Sequence, residues 1–325
     1  MTVLSSPSRA TADARHAPAA RPVRSGVLLV VLAVALSTMG VGCTDARESG
    51  TDAEMEPTGS GGEVTVPIAA IVTNVVDPGA EPRTLLRPSF ETGTAQQVTL
   101  RTEHHIEEQI GDQPMHDSSP PAITIPLTAT TDREGVDLTL GAATSTDPEL
   151  AEQLGIADGS RAGFEMSELG AITALRMKPT PATPDAARTA LEQAFFQAVY
   201  QSIAFPTDPV GEGAVWTVHQ QVYSAGAPLD QVTTATLTKR DGNLLTLALD
   251  VVQIPKSDVW HLPNNAGPLE IIDYVMHGTG VIMVDLGLPL PVSGSVTVGG
   301  HQSYEDPRGG VLLRQDISTQ VHWGD

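Results

Sequence analysis

The run Val232-Thr-Thr-Ala-Thr-Leu-Thr-Lys-Arg-Asp-Gly-Asn-Leu-Leu-Thr-Leu-Ala-Leu-Asp-Val251 sets two alternating segments on either side of Asp241-Gly242. Leu245, Leu247, Leu249 and Val251 recur every second residue, the spacing that puts side chains on one face of an extended strand. Val232 to Thr238 alternates in the same way, with Thr at the outward positions. Asp-Gly supplies the positive φ that a tight hairpin turn requires, so the stretch predicts an antiparallel β-hairpin. Threonines opposite the apolar positions predict a sheet with one wet face.

The same pattern continues outward from this hairpin. Trp216, Val218 and Val222 precede it. Val281 to Leu286, Val296 and Val298, and the run Leu313, Ile317, Thr319, Val321, Trp323 follow it. In the first half, Val98, Leu100, Thr102, His104, Ile106 and Ile110 share one face of an extended segment. Arg101, Glu103, His105 and Glu107 take the other. Ile123, Ile125, Leu127 and Ala129 alternate next, and Pro126, which lacks an N–H, predicts an edge or a bulge there. A turn at Asp132–Gly135 leads to Val136, Leu138 and Leu140. The pairs Gly299-Gly300 and Gly309-Gly310 lack the Lys and helix of a phosphate loop and read as hairpin punctuation.

Between the halves, Ala187, Leu191, Phe195, Val199 and Ile203 recur at i, i+4. Thr183 is the expected cap and Pro184 suits the first turn, which predicts a helix over about 184–203. Phe196, Ala198 and Tyr200 widen its apolar stripe, and Glu192, Gln193, Gln197 and Gln201 are placed opposite. Asp147–Leu154 and Leu269–Met276 are two shorter helical candidates. The expected fold is mainly β (α+β): a curved antiparallel sheet or half-barrel with a central amphipathic helix packed on its inner face. The order of strand meander, helix, strand meander allows two similar halves, a weak internal duplication.

Hydrophobic residues make up 40% of the 325 and aromatics only 4%, so the core is built from Val, Leu, Ile and Ala. Formal net charge is -21. Residues 1–42 hold Arg9, Arg15, Arg21 and Arg24 against Asp13, so without them 14 basic and 38 acidic residues remain, a net of -24. Such a surface repels nucleic acid and anionic headgroups. Cys43 is the sole cysteine, which rules out an intramolecular disulfide and a Cys-rich metal site.

Residues 1–24 are polar and basic. Val27-Leu-Leu-Val-Val-Leu-Ala-Val-Ala-Leu36 is an apolar run shorter than the ~20 residues of a spanning helix, and Met39-Gly-Val-Gly-Cys43 follows. This is the three-part layout of a secretory signal peptide. Cys43 directly after Gly42 resembles a bacterial lipoprotein signal, although Gly40 stands where an aliphatic residue is usual. In that family the thiol receives a diacylglyceryl group and becomes the mature N-terminus. The alternatives are an uncleaved signal anchor or ordinary cleavage nearby. Residues 1–42 are therefore expected to be a signal peptide, with lipidation at Cys43. Polar, Gly/Ser-rich residues 43–63 form a tether with ends roughly 25 Å apart. Residues 64–325 form the β-rich body.

Phe205-Pro-Thr-Asp-Pro-Val-Gly-Glu-Gly-Ala-Val-Trp216 resembles a segment of bacterial cell-envelope lipoproteins of uncharacterised function. Ser167–Thr173, Gly278–Leu286 and Pro289-Leu-Pro291 fit the same plan. The resemblance, over roughly Val98 to Trp323, implies the architecture of envelope lipid-carrier-like half-barrel lipoproteins, with an apolar cavity between sheet and helix. It implies no catalytic residues. The expected role is a non-enzymatic envelope lipoprotein at the extracytoplasmic face of the cell membrane, binding or carrying an apolar ligand. The alternative is a structural or protein-interaction module whose envelope partner is unknown.

Candidate cavity residues are Leu191, Phe195, Phe196, Val199 and Met283; the same residues can equally seal a core. Val281, Leu288 and Leu290 carry the same ambiguity, and Trp216, Trp260 and Trp323 read as packing residues. An apolar void of several hundred Å3 behind the helix would favour a carrier, and dense packing a module. His105 and Glu107 share a strand face and could begin a metal site, with His116 nearby; a solvated strand edge is the simpler reading. His104 points the other way and is expected to be satisfied in the core. No Gly-x-Ser-x-Gly or His-Glu-x-x-His pattern occurs, and no metal or cofactor is expected.

Overall fold

The computed structural model describes residues 62–132, 135–224, 226–262 and 267–324. Cys43, the signal segment and nearly all of the tether lie outside the described residues. The body is a single large antiparallel sheet that is not closed, with two helices among the described residues.

The first meander comprises β1 (Val64–Pro67), β2 (Val72–Asp77), β3 (Ala95–Ile110), β4 (His116–Asp117), β5 (Ile123–Thr131), β6 (Gly135–Leu140), β7 (Thr144–Ser145), β8 (Arg161–Met166) and β9 (Ile172–Lys178), with α1 (Pro148–Ile156) between β7 and β8. After α2 (Asp185–Tyr200) come β10 (Val215–Ser224), β11 (Ala227–Asp241), β12 (Leu244–Pro255), β13 (Val259–Leu262), β14 (Gly267–Asp285), β15 (Ser293–Glu305) and β16 (Leu312–Trp323). The sheet order is β1-β9-β8-β6-β5-β3-β16-β15-β14-β12-β11-β10-β2. Apart from β2, which pairs with β10 at the far end, the first meander thus runs outward from β3 to one end of the sheet, and the second runs inward from the other end to β16. β3 and β16 pair from Leu100 opposite Trp323 to Ile110 opposite Leu313 and join the two.

Topology explains the position of the helix. α2 carries the chain from β9, near one end of the sheet, to β10, near the other. At about 1.5 Å per residue its 16 residues span roughly 24 Å. A second link runs between the same ends. β1 lies on β9 and β2 lies on β10, yet only residues 68–71 separate them. Five steps of extended chain reach no more than about 18 Å, so the two ends of the sheet approach each other across this short clasp. Ile68 packs on the first core and Ile71 on the second.

The predicted hairpin is present: β11 and β12 pair down to Asp241 opposite Leu244, and Gly242 has φ +62°. The expected turn before β6 is closed by Asp132, whose N–H bonds to Gly135 O at 3.0 Å and whose Oδ1 accepts the Gly135 N–H at 2.7 Å. Asp147 caps α1 through a 2.8 Å bond from the Leu150 N–H.

Three local expectations are corrected. Residues 269–276 are strand, not helix. They lie in β14 between β13 and β15, and a bulge between Ile271 and Asp273 breaks the alternation, which gave the segment its helix-like spacing. The N-cap of α2 is Pro184, without a side-chain cap bond; the Thr183 hydroxyl pairs with Thr180 Oγ1 instead, 2.8 Å away. Pro126 sits on an interior strand. It faces the break between β6 and β7, where no ladder N–H is needed, and its carbonyl accepts the Gly141 N–H at 2.8 Å.

Candidate functional site

α2 is buried over most of its circumference. Ala187, Leu191, Ala194, Phe195, Ala198 and Val199 are fully enclosed, and Gln193, Gln197 and Gln201 are half-buried rather than exposed. Leu191, Phe195 and Val199 pack on the inner face of the first meander among Leu100, Ile125, Leu138 and Leu175. Phe164 meets Phe195 edge-on, with ring centroids 6.3 Å apart at 67°. Phe196 is half-buried and stacks at 6.1 Å on Tyr200. Met283 lies on the opposite face of β14 from Ile282 and Val284, away from the helix stripe.

The second meander has its own core, and the Phe205–Trp216 phrase supplies its plug. Phe205, Val210, Ala214 and Trp216 are fully buried together with Leu86, Leu237, Leu245 and Leu247. Trp216 Nε1–H donates to Ala204 O at 3.0 Å, and its ring lies 6.4 Å from Phe205. A Cβ at Gly211 would fall 1.8 Å from Ala80 O, so only glycine fits there. Val210 and Thr84 exchange backbone bonds at 2.9 and 3.0 Å, which fixes the segment before β3 onto this plug.

Where the two cores meet, at the C-terminal end of α2, there is an apolar cavity of about 70 Å3. Ala198 and Gln201 form its helix side, Phe164 and Ile172 the first meander, Phe205 and Ile282 the second, and Leu288, Leu290 and Trp323 complete it. Of the residues singled out on the predicted helix, Ala198, Gln201 and Ile203 wall the cavity; Leu191, Phe195, Phe196 and Val199 pack beside it in the first core. Cavities near 150 Å3 accept a benzene ring, so this space, in the form seen, holds about two water-sized groups. A second cavity of about 40 Å3 lies between Thr102, His104, Leu150 and Gln197.

The loop after β14 straddles the junction. Leu286 belongs to the second core and Leu290 to the first. Gln96 of β3 holds it in place: its Oε1 accepts the Leu290 N–H at 3.0 Å, and its Nε2–H donates to Leu290 O at 3.1 Å and Pro291 O at 3.3 Å. Gln96 is only 8% exposed, so these bonds form away from competing water.

Farther along the inner face the sheet turns polar. Gln220 pairs with Gln231 and Gln231 with Gln253; Tyr274 pairs with Gln302, Gln302 with Gln315 and Gln315 with Glu108. Gln253 faces Met276 on β14, so the two runs are offset by two residues where they meet, in a stepped belt across seven adjacent strands. Gln253 Nε2–H donates to Gln231 Oε1 at 2.8 Å, and Gln231 Nε2–H donates to Tyr200 O at 2.6 Å, tying the belt to the end of α2. Burial pushes the hydroxyls of Tyr274 and Tyr304 above the ordinary phenol range.

His104 faces inward and its Nδ1 lies 2.6 Å from Thr319 Oγ1. Burial, with a smaller effect from His105, lowers its pKa to about 4, so the ring is neutral at physiological pH. His105 faces outward, where its Nδ1 lies 2.8 Å from Ser119 Oγ. Among the described residues, no group of three or more His, Cys, Asp or Glu is arranged to hold a metal ion.

No family model matches the chain, and no curated protein matches it. Among solved structures, it is similar to lipovitellin, in a structure concerned with lipid–protein interactions, with TM-score 0.42 and 9% identity over 73% of this chain and 25% of that one. The chain thus spans about a quarter of that protein's length. It is also similar to a Transferrin Binding Protein B mutant from Haemophilus parasuis Hp5, with TM-score 0.12 and 9% identity over 78% and 86% of the two chains. Function is therefore argued from the site itself.

Proposed function

We propose that the chain is a non-enzymatic envelope lipoprotein, held by lipid on Cys43 at the extracytoplasmic face of the membrane, whose body binds an apolar ligand at the junction of its two cores. The observation that carries this reading is the cleft at the end of α2, which is lined by apolar side chains from both meanders and covered by a loop tied down through one glutamine. The binding site is thus a seam between the two hydrophobic cores of one body. Its 70 Å3 admits no acyl chain as it stands, so binding requires the seam to open. The test is solvent extraction and mass spectrometry of natively purified protein. Recovery of an apolar molecule in near-stoichiometric amount supports the reading. Recovery of none, with no binding of hydrophobic probes, refutes it.

The small size of the cleft favours a second reading. Cavities of about 70 and 40 Å3 beside α2 fall far short of the several hundred Å3 of a preformed carrier pocket, which fits an interaction module presenting an acidic sheet surface to an envelope protein. A specific partner in an envelope pull-down supports this reading; its absence counts against it.

A further inference from the structure

Residues 288–291 wall the cleft, and the hydrogen bonds of the 287–291 loop divide into two sets. The first two residues are held locally: the Gly287 N–H donates to Asp285 Oδ1 at 2.8 Å and the Leu288 N–H to Asp285 O at 2.9 Å. Pro289 and Pro291 have no N–H to give. Among the described residues, the hydrogen bonds that tie 289–291 to the sheet come from Gln96, 194 and 195 residues away in sequence, and backbone pairing resumes at Val292, whose N–H donates to Met283 O at 2.8 Å. One side-chain amide thus stands in for a strand pairing. If its bonds break, Leu288 and Leu290 can withdraw from the cleft they line, and the space behind them joins the existing cavity. Gly287, Leu288 and Pro291 are half-buried, while Pro289 and Leu290 are fully buried, so opening the loop lifts Leu290 out of the first core as well as breaking the Gln96 bonds.

The polar groups of the cleft are equally selective. The polar side chains among the lining residues are Gln201, Ser202, Asp285 and the indole of Trp323, with no Lys or Arg. The Ser202 hydroxyl is committed to Val199 O at 2.7 Å. Gln201 Oε1 is a buried acceptor with no partner. An entering molecule therefore meets one idle acceptor and one carboxylate, which suits a hydroxyl donor and opposes an anion.

We infer that the 287–291 loop is a gate latched by Gln96, and that the cleft behind it takes the alkyl chain of an uncharged, hydroxyl-bearing amphiphile. This rests on the apolar-ligand reading and adds the entrance and the ligand class. The experiment uses the purified chain carrying Cys43→Ser, so that no acyl group of its own competes. Glycerol monolaurate and laurate are titrated calorimetrically at pH 8, association is followed by stopped flow, and exchange of the Leu290 amide is followed by hydrogen–deuterium exchange. Glycerol monolaurate is expected to bind at least about tenfold more tightly than laurate. Gln96→Met is expected to associate at least about tenfold faster, with faster Leu290 exchange. Asp285→Asn, which leaves the latch intact, is expected to recover most of the laurate affinity. An unchanged association rate in a Gln96→Met protein whose Leu290 amide exchanges faster overturns the gate. If Gln96→Met does not fold, the shorter amide of Gln96→Asn is measured against the same criterion. Equal affinity for the two probes, or no gain for laurate in Asp285→Asn, overturns the ligand class. Absence of binding by either probe to any folded variant overturns the apolar-ligand reading itself.

Discussion

His104 makes the stability of the body depend on pH in a way that one substitution isolates. In the folded chain its pKa is lowered to about 4 from an ordinary 6.5, chiefly by burial. The unfolded chain therefore binds this proton more tightly than the folded one. Above pH 6.5 both states are neutral and the site costs nothing. As pH falls through 6.5, the unfolded ring charges first and stability is lost; the loss is complete below pH 4, when both states are protonated. A shift of about 2.5 units corresponds to a limit of roughly 3 kcal/mol, and the same linkage gives about 2 kcal/mol at pH 5. The assay is urea unfolding at pH 7.5 and pH 5.0 for the wild type and His104→Asn. Carboxylates titrate in both proteins, so the difference between them isolates the imidazole. The wild type is expected to lose about 2 kcal/mol more than the variant between these pH values. Equal losses would show that the ring stays solvated or finds an acceptor on protonation, and would refute the reasoning.

Phe195→Ala empties the contact between α2 and the first meander at a fully buried site, and thermal or urea unfolding is expected to show a loss of about 3–5 kcal/mol. Gly211→Ala forces a methyl onto the Ala80 carbonyl; urea unfolding should show a loss above about 2 kcal/mol, with raised proteolysis between Pro78 and Thr84. Wild-type stability in that variant would mean that the 78–84 segment is not seated on the plug. Cys43→Ser is expected to release the protein from membranes and to abolish acylation. Retention with acylation intact would sink the anchoring proposal.

What the sequence revealed is what short-range chemistry controls. Asp241-Gly242 dictates its hairpin whatever surrounds it, and the Leu191/Phe195/Val199 stripe identifies a helix that must bury one face. The inward direction expected of His104 follows from the alternation of β3, whereas its partner Thr319 comes from β16, 215 residues away. Features that depend on register over long separations stayed hidden. Gln220, Gln231, Gln253, Gln302 and Gln315 each look like ordinary polar strand residues, and only the pairing of adjacent strands aligns them into a buried belt. Gln96 gave no signal at all, because its partners are two carbonyls and one N–H of a distant proline-rich loop. Residues 269–276 misled for the opposite reason: one extra residue at the Ile271 bulge shifted an alternating strand into a spacing that a helix shares.

The joint between β3 and β16 has a consequence for how the molecule comes into being. Hairpins within each meander close over short stretches of chain, but Leu100 cannot find Trp323 until the whole second meander exists. Pairings this remote in sequence dominate the time a chain needs to fold. A nascent form holding only the first meander would leave the inner edge of β3 open and its apolar face half covered. A protein threaded through a membrane pore amino end first would then remain loosely folded until its last strand emerged. If the chain is exported as proposed, delayed closure keeps it fit for transport, and it also makes the waiting period the time at which aggregation competes with assembly.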